Sequence, residues 1–219
     1  MLKLLQSELP TLLLSLPAVL ISLSVHESAH GYVANKLGDP TAKNLGRITL
    51  NPMKHFDLLG FLSMVIFRVG WANPVPINAR NFKNPRRDMA ISAAAGPLSN
   101  LCLAFIFAIL LKILNVAYGF ITFTSETAFF VMYLLEIMLL SGVVLNINLM
   151  IFNLIPIPPF DGSRILYVFL PTELYFKVMR YERYIMIAFI LLFATGALSG
   201  PLSFLTNLLT NLIFRILGI

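Results

Sequence analysis

The segment HESAH at residues 26–30 places two histidines four positions apart, with a glutamate beside the first. On an α-helix, positions i and i+4 share one face, so His26 and His30 can present two imidazole rings to one metal ion. Glu27 is adjacent and can act as a base on a water at that metal. This spacing is the HExxH motif of zinc hydrolases and predicts a zinc site. The alternative is a pair of hydrogen-bonded core histidines, which would leave a costly acid in an apolar segment without a role.

A catalytic zinc ion has three protein ligands and an open position for water, so a third ligand must come from elsewhere in the chain. The two candidates are His55 and Asp161. Asp161 follows a stretch with three prolines, which forces a broken path, and Gly162 is expected to let the backbone turn so that the carboxylate points at the bundle. Alternatively, Asp161 is a turn or N-cap residue without a metal. His55 could be a fourth ligand, a pH sensor or a hydrogen-bonded loop histidine.

The composition indicates a membrane protein. Of the 219 residues, 58% are hydrophobic and 12% are charged, whereas soluble domains have about 45–50% apolar and about 25% charged residues. No stretch is polar enough for a separate soluble module, so we expect a single domain over residues 1–219. The single cysteine excludes an intramolecular disulfide.

The net charge of +6 comes from basic residues that are concentrated in two stretches. Nine of the sixteen lysines and arginines lie between residues 36 and 87, and four lie between 156 and 183. The stretches 115–127 and 196–203 have none. By the positive-inside rule the two basic stretches are cytoplasmic, so the charge reflects membrane topology and nucleic acid is not an expected partner.

A helix needs about 20 apolar residues to cross a bilayer. The apolar runs predict about five transmembrane helices, at residues 9–37, 88–114, 127–155, 184–199 and 201–218. A further run at 58–67 has ten residues and is expected to be re-entrant or interfacial. The fold class predicted is therefore an all-α polytopic membrane protein.

The region 38–87 between the first two spans looks least helical. Its segments 44–51 and 72–78 contain β-branched residues bounded by Asn, Pro and Gly, which predicts a small membrane-associated β region. A sheet edge there could clamp an unwound substrate by strand addition. The alternative is that these segments only cover the zinc site.

Three separated motifs resemble the site-2 proteases, which are intramembrane zinc metalloproteases. They are HESAH at 26–30, AAGPLSN at 94–100 and NLIPIPPFDG at 153–162. The segments LGDPTAKNLGRITLNPMKH and GWANPVPIN are similar to the short bacterial members, which lack PDZ and nucleotide-sensing domains. The resemblance covers residues 20–170.

The resemblance implies one zinc ion per chain, bound by His26, His30 and Asp161. It also implies that Glu27 is the catalytic base and that Asn153 holds the substrate or stabilises the oxyanion. The implied substrate is a single-pass transmembrane protein, cleaved in or near its membrane segment. The implied location is a bacterial cell membrane, with the active site toward the cytoplasm.

Two other functions compete with proteolysis: a membrane metal transporter and a non-catalytic adaptor derived from a protease. A transporter distributes ligands along a pathway, whereas these cluster toward one predicted side. Glu27 beside His26 has a role only in hydrolysis. In AAAGPLSN, Gly96, Ser99 and Asn100 are expected to pack closely against the helix that carries His26 and His30, with Asn100 able to hydrogen-bond across helices. The oligomeric state is not predicted.

Overall fold

The computed structural model describes residues 2–67, 70–120 and 125–219. These ranges contain nine α-helices: α1 (Leu2–Lys36), α2 (Thr41–Asn44), α3 (Leu58–Phe67), α4 (Pro85–Tyr118), α5 (Glu126–Asn153), α6 (Asp161–Leu166), α7 (Thr172–Arg180), α8 (Glu182–Ala194) and α9 (Ser199–Leu217). Short 3-10 turns lie at Pro52–Lys54, Ala79–Asn81 and Tyr167–Phe169. Helix is therefore the dominant structure, as predicted.

The ends of three long helices follow from proline and glycine. Pro85 begins α4, at a position where its missing N–H costs no helical hydrogen bond. Gly38, two residues after α1, and Gly218, directly after α9, have positive φ values of 111° and 67°. Glycine adopts this left-handed region without steric cost, and the turn ends the helix.

The core lies where α1, α4, α5 and α9 meet. Its buried side chains are Ala18, Leu103, Ala104, Phe107, Ala108, Leu111, Leu139, Val143, Ile147 and Ile213. Gly142 on α5 allows close approach of α4, because a Cβ there would lie 2.6 Å from the Phe107 ring on α4. Small residues of this kind let membrane helices pack closely, where burial of apolar surface gives no driving force.

Polar side chains also join these helices inside the bundle. Asn146 Nδ2 donates to Ser22 Oγ at 2.8 Å, which connects α5 to α1. Thr206 Oγ1 donates to Asn148 Oδ1 at 2.6 Å, which connects α9 to α5. Ser22, one turn before His26, and Asn146 are both fully buried. The bond between them therefore joins α1 to α5 inside the core.

Three of the described helices are long and apolar enough to cross a membrane: α4, α5 and α9. The chain is therefore a membrane protein, but the predicted count of five spans is not supported. α8 has 13 residues, fewer than the about 20 needed. The segment 58–67, predicted as re-entrant or interfacial, forms α3. Arg68 in the first basic stretch and residues 121–124 in the predicted outer loop lie outside the described residues.

The predicted β region is wrong: within the described residues, neither 44–51 nor 72–78 contains a strand. Pro74 and Pro76 have no N–H to donate to a ladder. Moreover, the backbone of these segments bonds to side chains. Arg47 Nη2 donates to the carbonyls of Asn73 at 2.7 Å and Pro74 at 3.2 Å, so an arginine rather than a ladder joins the two segments.

Asp39 anchors the chain where it leaves α1. Its side chain is fully buried and accepts hydrogen bonds from Thr41 Oγ1 at 2.5 Å, Asn78 N–H at 2.7 Å and Asn81 Nδ2 at 2.7 Å. Burial alone would raise the pKa of Asp39, but these donors outweigh it and lower the pKa below its usual value. The ionised carboxylate thus holds residues 78–81 against the end of α1.

Candidate metal centre

The two histidines of α1 and Asp161 at the start of α6 converge on one point. His26 Nε2 lies 3.0 Å from His30 Nε2, and Asp161 Oδ2 lies 3.3 Å and 3.2 Å from these two nitrogens. Both histidines are buried, and the Asp161 side chain is 13% exposed. The structure thus brings these three predicted ligands together.

The separations fit a zinc ion. Ligand atoms at about 2.0–2.1 Å from a tetrahedral zinc are about 3.3 Å apart. Asp161 Oδ2 is buried and has no hydrogen-bond partner within the described residues. Burial would raise the pKa of Asp161, but the two imidazole rings outweigh it and hold the pKa well below its usual range. An ionised carboxylate facing two imidazole nitrogens is the donor set that zinc prefers.

Gly162 positions Asp161 through close packing. A Cβ on Gly162 would lie 2.4 Å from the carbonyl oxygen of Leu154 and 2.5 Å from that of Ile155. Gly162 is not among the described glycines with positive φ. The expectation that it permits a turn is therefore wrong in its reason: the missing side chain lets α6 approach the end of α5.

Gly96 on α4 lies directly against both imidazole rings. A Cβ at this position would be 2.4 Å from His30 Nε2 and 2.5 Å from His26 Cε1. The sequence pattern predicts close packing of Gly96 against α1, but not its contact with both rings. Its close approach to the rings shows that the space occupied by the two ligand side chains depends on this glycine.

The other nitrogen of each ring is also engaged by α4. His30 Nδ1 lies 2.8 Å from the carbonyl oxygen of Ser92, and Ser92 Oγ donates to the His30 carbonyl at 3.1 Å. His26 Nδ1 lies 3.0 Å from Asn100 Nδ2. Asn100 thus makes a hydrogen bond across helices, as its place in AAAGPLSN suggests, whereas nothing in the sequence pattern pointed to Ser92.

Glu27 on α1, the helix that carries the two histidines, is held by the segment 72–78, which covers this helix. Its Oε2 accepts a hydrogen bond from the backbone N–H of Val75 at 2.8 Å. Val75 is buried against Gly31, where a Cβ would lie 3.0 Å from Val75 Cγ1 and 3.2 Å from Ile48 Cγ1. The glycine after the HESAH motif thus lets both covering segments reach α1, and nothing in the sequence pattern pointed to this role.

His55 lies in the covering region rather than with the ligand atoms. His55 Nε2 lies 2.9 Å from the carbonyl oxygen of Thr49, which also accepts a bond from Ser28 Oγ at 2.5 Å. The backbone N–H of Asn73 donates to the His55 carbonyl at 2.8 Å. His55 therefore ties the two covering segments together, as the interpretation of a hydrogen-bonded loop histidine expects.

Asn153 is the last residue of α5 and is half-buried. Its Nδ2 donates to the carbonyl oxygen of Leu149 at 2.9 Å, within the same helix. An Asn side chain has a second N–H and an acceptor oxygen, so this bond leaves capacity for another partner.

Comparison with known proteins identifies the family. The model of "Peptidase family M50" matches residues 15–193. "Putative zinc metalloprotease YwhC" of Bacillus subtilis is 41% identical over 193 residues, which cover 86% of this chain and 82% of that protein. "Putative zinc metalloprotease MJ0611" of Methanocaldococcus jannaschii is 31% identical over 155 residues, 70% of this chain and 69% of that protein. No solved structure matches significantly. The chain therefore belongs to peptidase family M50, the site-2 protease family, and is a zinc metalloprotease.

Proposed function

We propose that this protein is an intramembrane endopeptidase in which His26, His30 and Asp161 bind one zinc ion and Glu27 is the general base. The observation that carries the proposal is the convergence of two imidazole nitrogens and one carboxylate oxygen within 3.3 Å of one another. Helices α1 and α4, which form the walls of this centre, pack in a bundle with two further helices, and α4 is apolar enough to cross a membrane.

A zinc ion bound here supplies Lewis-acid polarisation of a carbonyl group and acidifies a water molecule. The chain supplies the proton transfer. Glu27 takes a proton from the attacking water with one carboxylate oxygen and passes it to the leaving amine. Its other oxygen, Oε2, is fixed by the Val75 N–H, so the carboxylate is oriented before substrate binds. Asn153 offers an amide N–H to the substrate or to the developing oxyanion.

The substrate class follows from the setting of the site. A peptide bond inside a transmembrane helix is shielded by its own turn, so the substrate helix must unwind locally before Glu27 can act. We propose a single-pass membrane protein as the substrate. The segments 44–51 and 72–78 cover the zinc helix, as their hydrogen bonds to Ser28 and Glu27 support. The lipid bilayer is the second partner.

The proposed location is a bacterial cell membrane, with the centre toward the cytoplasm. Support comes from charge: Lys36 ends α1 six residues after His30, and Arg164 follows three residues after Asp161. Basic residues so close to the metal site favour the cytoplasmic side by the positive-inside rule.

The test uses purified protein in liposomes with one reporter sequence presented in two ways, as a membrane-spanning segment and as a soluble peptide. We expect cleavage of the membrane-spanning form and loss of cleavage in His26→Ala. Cleavage of the soluble form alone would contradict the intramembrane assignment. Zinc flux across the liposomes without cleavage would instead support a transporter, and zinc binding with neither activity would support an adaptor.

A further inference from the structure

Asn100 and His26 form a hydrogen bond between two fully or almost fully buried side chains. Asn100 on α4 has no exposed surface, and its Nδ2 lies 3.0 Å from His26 Nδ1. In this orientation Asn100 Oδ1 is buried without a hydrogen-bond partner within the described residues. The opposite orientation would put the amide nitrogen at that buried position, so the choice between the two orientations depends on which ring nitrogen of His26 carries the proton.

A rotation of the Asn100 amide by 180° exchanges its oxygen and nitrogen, which occupy nearly the same space. Oδ1 then faces His26 Nδ1 and accepts a hydrogen bond from the Nδ1–H group. A neutral imidazole with its proton on Nδ1 has a lone pair on Nε2, the atom that lies 3.3 Å from Asp161 Oδ2. With Nδ2 in place instead, Nδ1 would be the acceptor, and a neutral ring would carry its proton on Nε2, where it would block metal binding.

The other ligand already shows this arrangement. The carbonyl oxygen of Ser92 can only accept, so His30 Nδ1, at 2.8 Å from it, must be the donor. The lone pair of His30 is therefore on Nε2, which faces the same point. Ser92 and Asn100 lie eight residues apart on α4, and they engage histidines that lie four residues apart on α1.

We propose that Asn100 is a positioning residue for the metal centre: its Oδ1 accepts from His26 Nδ1–H and so holds the His26 lone pair on Nε2 for zinc. This inference rests on the proposed role of His26 as a ligand. Hydrogen bonds of this kind fix the ring orientation and raise the basicity of a ligating histidine.

The experiment measures zinc affinity of the purified full-length chain by competition with a chelator, without any cleavage assay. Asn100→Leu removes the acceptor but keeps the branched shape of the side chain, and we expect affinity to fall by about 10–100-fold. Asn100→Asp keeps an acceptor, and we expect its affinity to stay within about threefold of wild type. A role in packing alone predicts the opposite order, because a buried carboxylate without a donor is worse tolerated than leucine.

Asn146→Leu is the matched control, because Asn146 is equally buried but bonds to Ser22 rather than to a ligand. We expect it to keep wild-type zinc affinity. Unchanged affinity in Asn100→Leu, a loss in Asn100→Asp as large as in Asn100→Leu, or an equal loss in Asn146→Leu would each overturn the proposal. If Asn100→Leu does not fold, the zinc affinity of Asn100→Asp is the test. An affinity within about threefold of wild type supports the proposal, and a larger loss overturns it.

A spectroscopic measurement reports the proton directly. In the cobalt-substituted protein, we expect two slowly exchanging ring N–H signals in the proton NMR spectrum, one from each histidine, and retention of both in Asn100→Asp. A wild-type spectrum that lacks the His26 signal would overturn the proposal. His26→Ala distinguishes failure of the His26 ligand assignment from failure of the Asn100 role. If His26→Ala binds zinc as tightly as wild type, His26 is not a ligand. If His26→Ala loses zinc affinity but Asn100→Leu does not, only the role of Asn100 is refuted.

Discussion

The backbone N–H of Val75 donates a hydrogen bond to Oε2 of Glu27 at 2.8 Å, although the two residues are 48 positions apart. One segment of the chain thus both covers the zinc helix and orients the carboxylate beside the metal site. Pro74 and Pro76 flank this donor. They restrict the backbone, so that the single N–H between them is presented in a defined direction.

Replacement of Val75 by proline removes this N–H. A hydrogen bond to a charged group contributes about 1.5–3 kcal/mol, so we expect proteolytic kcat/KM to fall by roughly tenfold or more. Bound zinc should be unchanged, because Val75 does not contact the ligand atoms. Val75→Ala is the control, since it loses side-chain packing but keeps the N–H. Equal activity of the two variants would show that the hydrogen bond to Glu27 is not used.

Gly96→Ala should prevent zinc binding. The added Cβ would lie 2.4 Å from His30 Nε2, so at least one imidazole must leave its position. We expect the purified variant to contain less than about a tenth of the wild-type zinc. Gly200→Ala is the control, because a Cβ there meets nothing within 4 Å. Wild-type zinc content in Gly96→Ala would mean that α4 does not pack against the rings as described.

Asp39 predicts a pH dependence of stability. Its pKa is lowered in the folded protein, so its contribution to the free energy of unfolding is complete above the unfolded value of about 3.9. The contribution is lost as the pH falls through the folded pKa. We therefore expect Asp39→Asn to lower Tm at pH 7, and the gap from wild type to shrink below about pH 4.

The control for this pH dependence is Thr41→Val, which removes one donor to Asp39. In Thr41→Val the charged form of Asp39 has fewer hydrogen bonds, so its pKa is lowered less. The Tm difference between Thr41→Val and the double variant with Asp39→Asn should therefore be smaller than the difference between wild type and Asp39→Asn. If the Tm difference between wild type and Asp39→Asn does not change with pH, the lowered pKa of Asp39 is not its cause. Tm is measured in detergent by intrinsic fluorescence.

The bond between Ser22 and Asn146 should contribute to the stability of the bundle. Cross-helix hydrogen bonds in membrane proteins contribute about 0.6 kcal/mol on average and about 1.7 kcal/mol at most. A double-mutant cycle with Ser22→Ala and Asn146→Leu is expected to give a coupling energy in this range. Ser24→Ala serves as the control, because Ser24 Oγ donates to Leu20 O within α1. If the coupling between Ser22→Ala and Asn146→Leu is no larger than that between Ser24→Ala and Asn146→Leu, the bond between Ser22 and Asn146 does not stabilise the bundle.

The sequence could predict that His26 and His30 lie together because their spacing is local, whereas the choice of Asp161 as their partner rests on the resemblance to the site-2 proteases. HESAH gives two ligands on one helical face, and the three prolines before Asp161 indicate that the chain breaks there. The contacts of individual α4 residues with the imidazole rings could not be predicted, because they depend on the exact register of α4 against α1. The pattern AAAGPLSN indicates close packing, but it does not say that Gly96 meets two imidazole rings or that Asn100 meets His26.

The β region shows the opposite case, in which a local pattern was misleading. The β-branched residues near 44–51 and 72–78 favour strands, yet a strand also needs a partner for its backbone groups. Here Ser28, Arg47 and Glu27 supply those partners from their side chains. These bonds are between residues far apart in the chain, and a single sequence carries no signal for them.

The role of Glu27 as the general base is tested by comparing wild type with Glu27→Gln. Bound zinc and cleavage of single-span reporter substrates are measured on the same preparations. The amide keeps the size of the side chain but cannot take a proton from water. We expect wild-type zinc content in both proteins and cleavage in wild type alone. Equal cleavage by the two proteins with zinc bound in both would contradict the role of Glu27 as the general base.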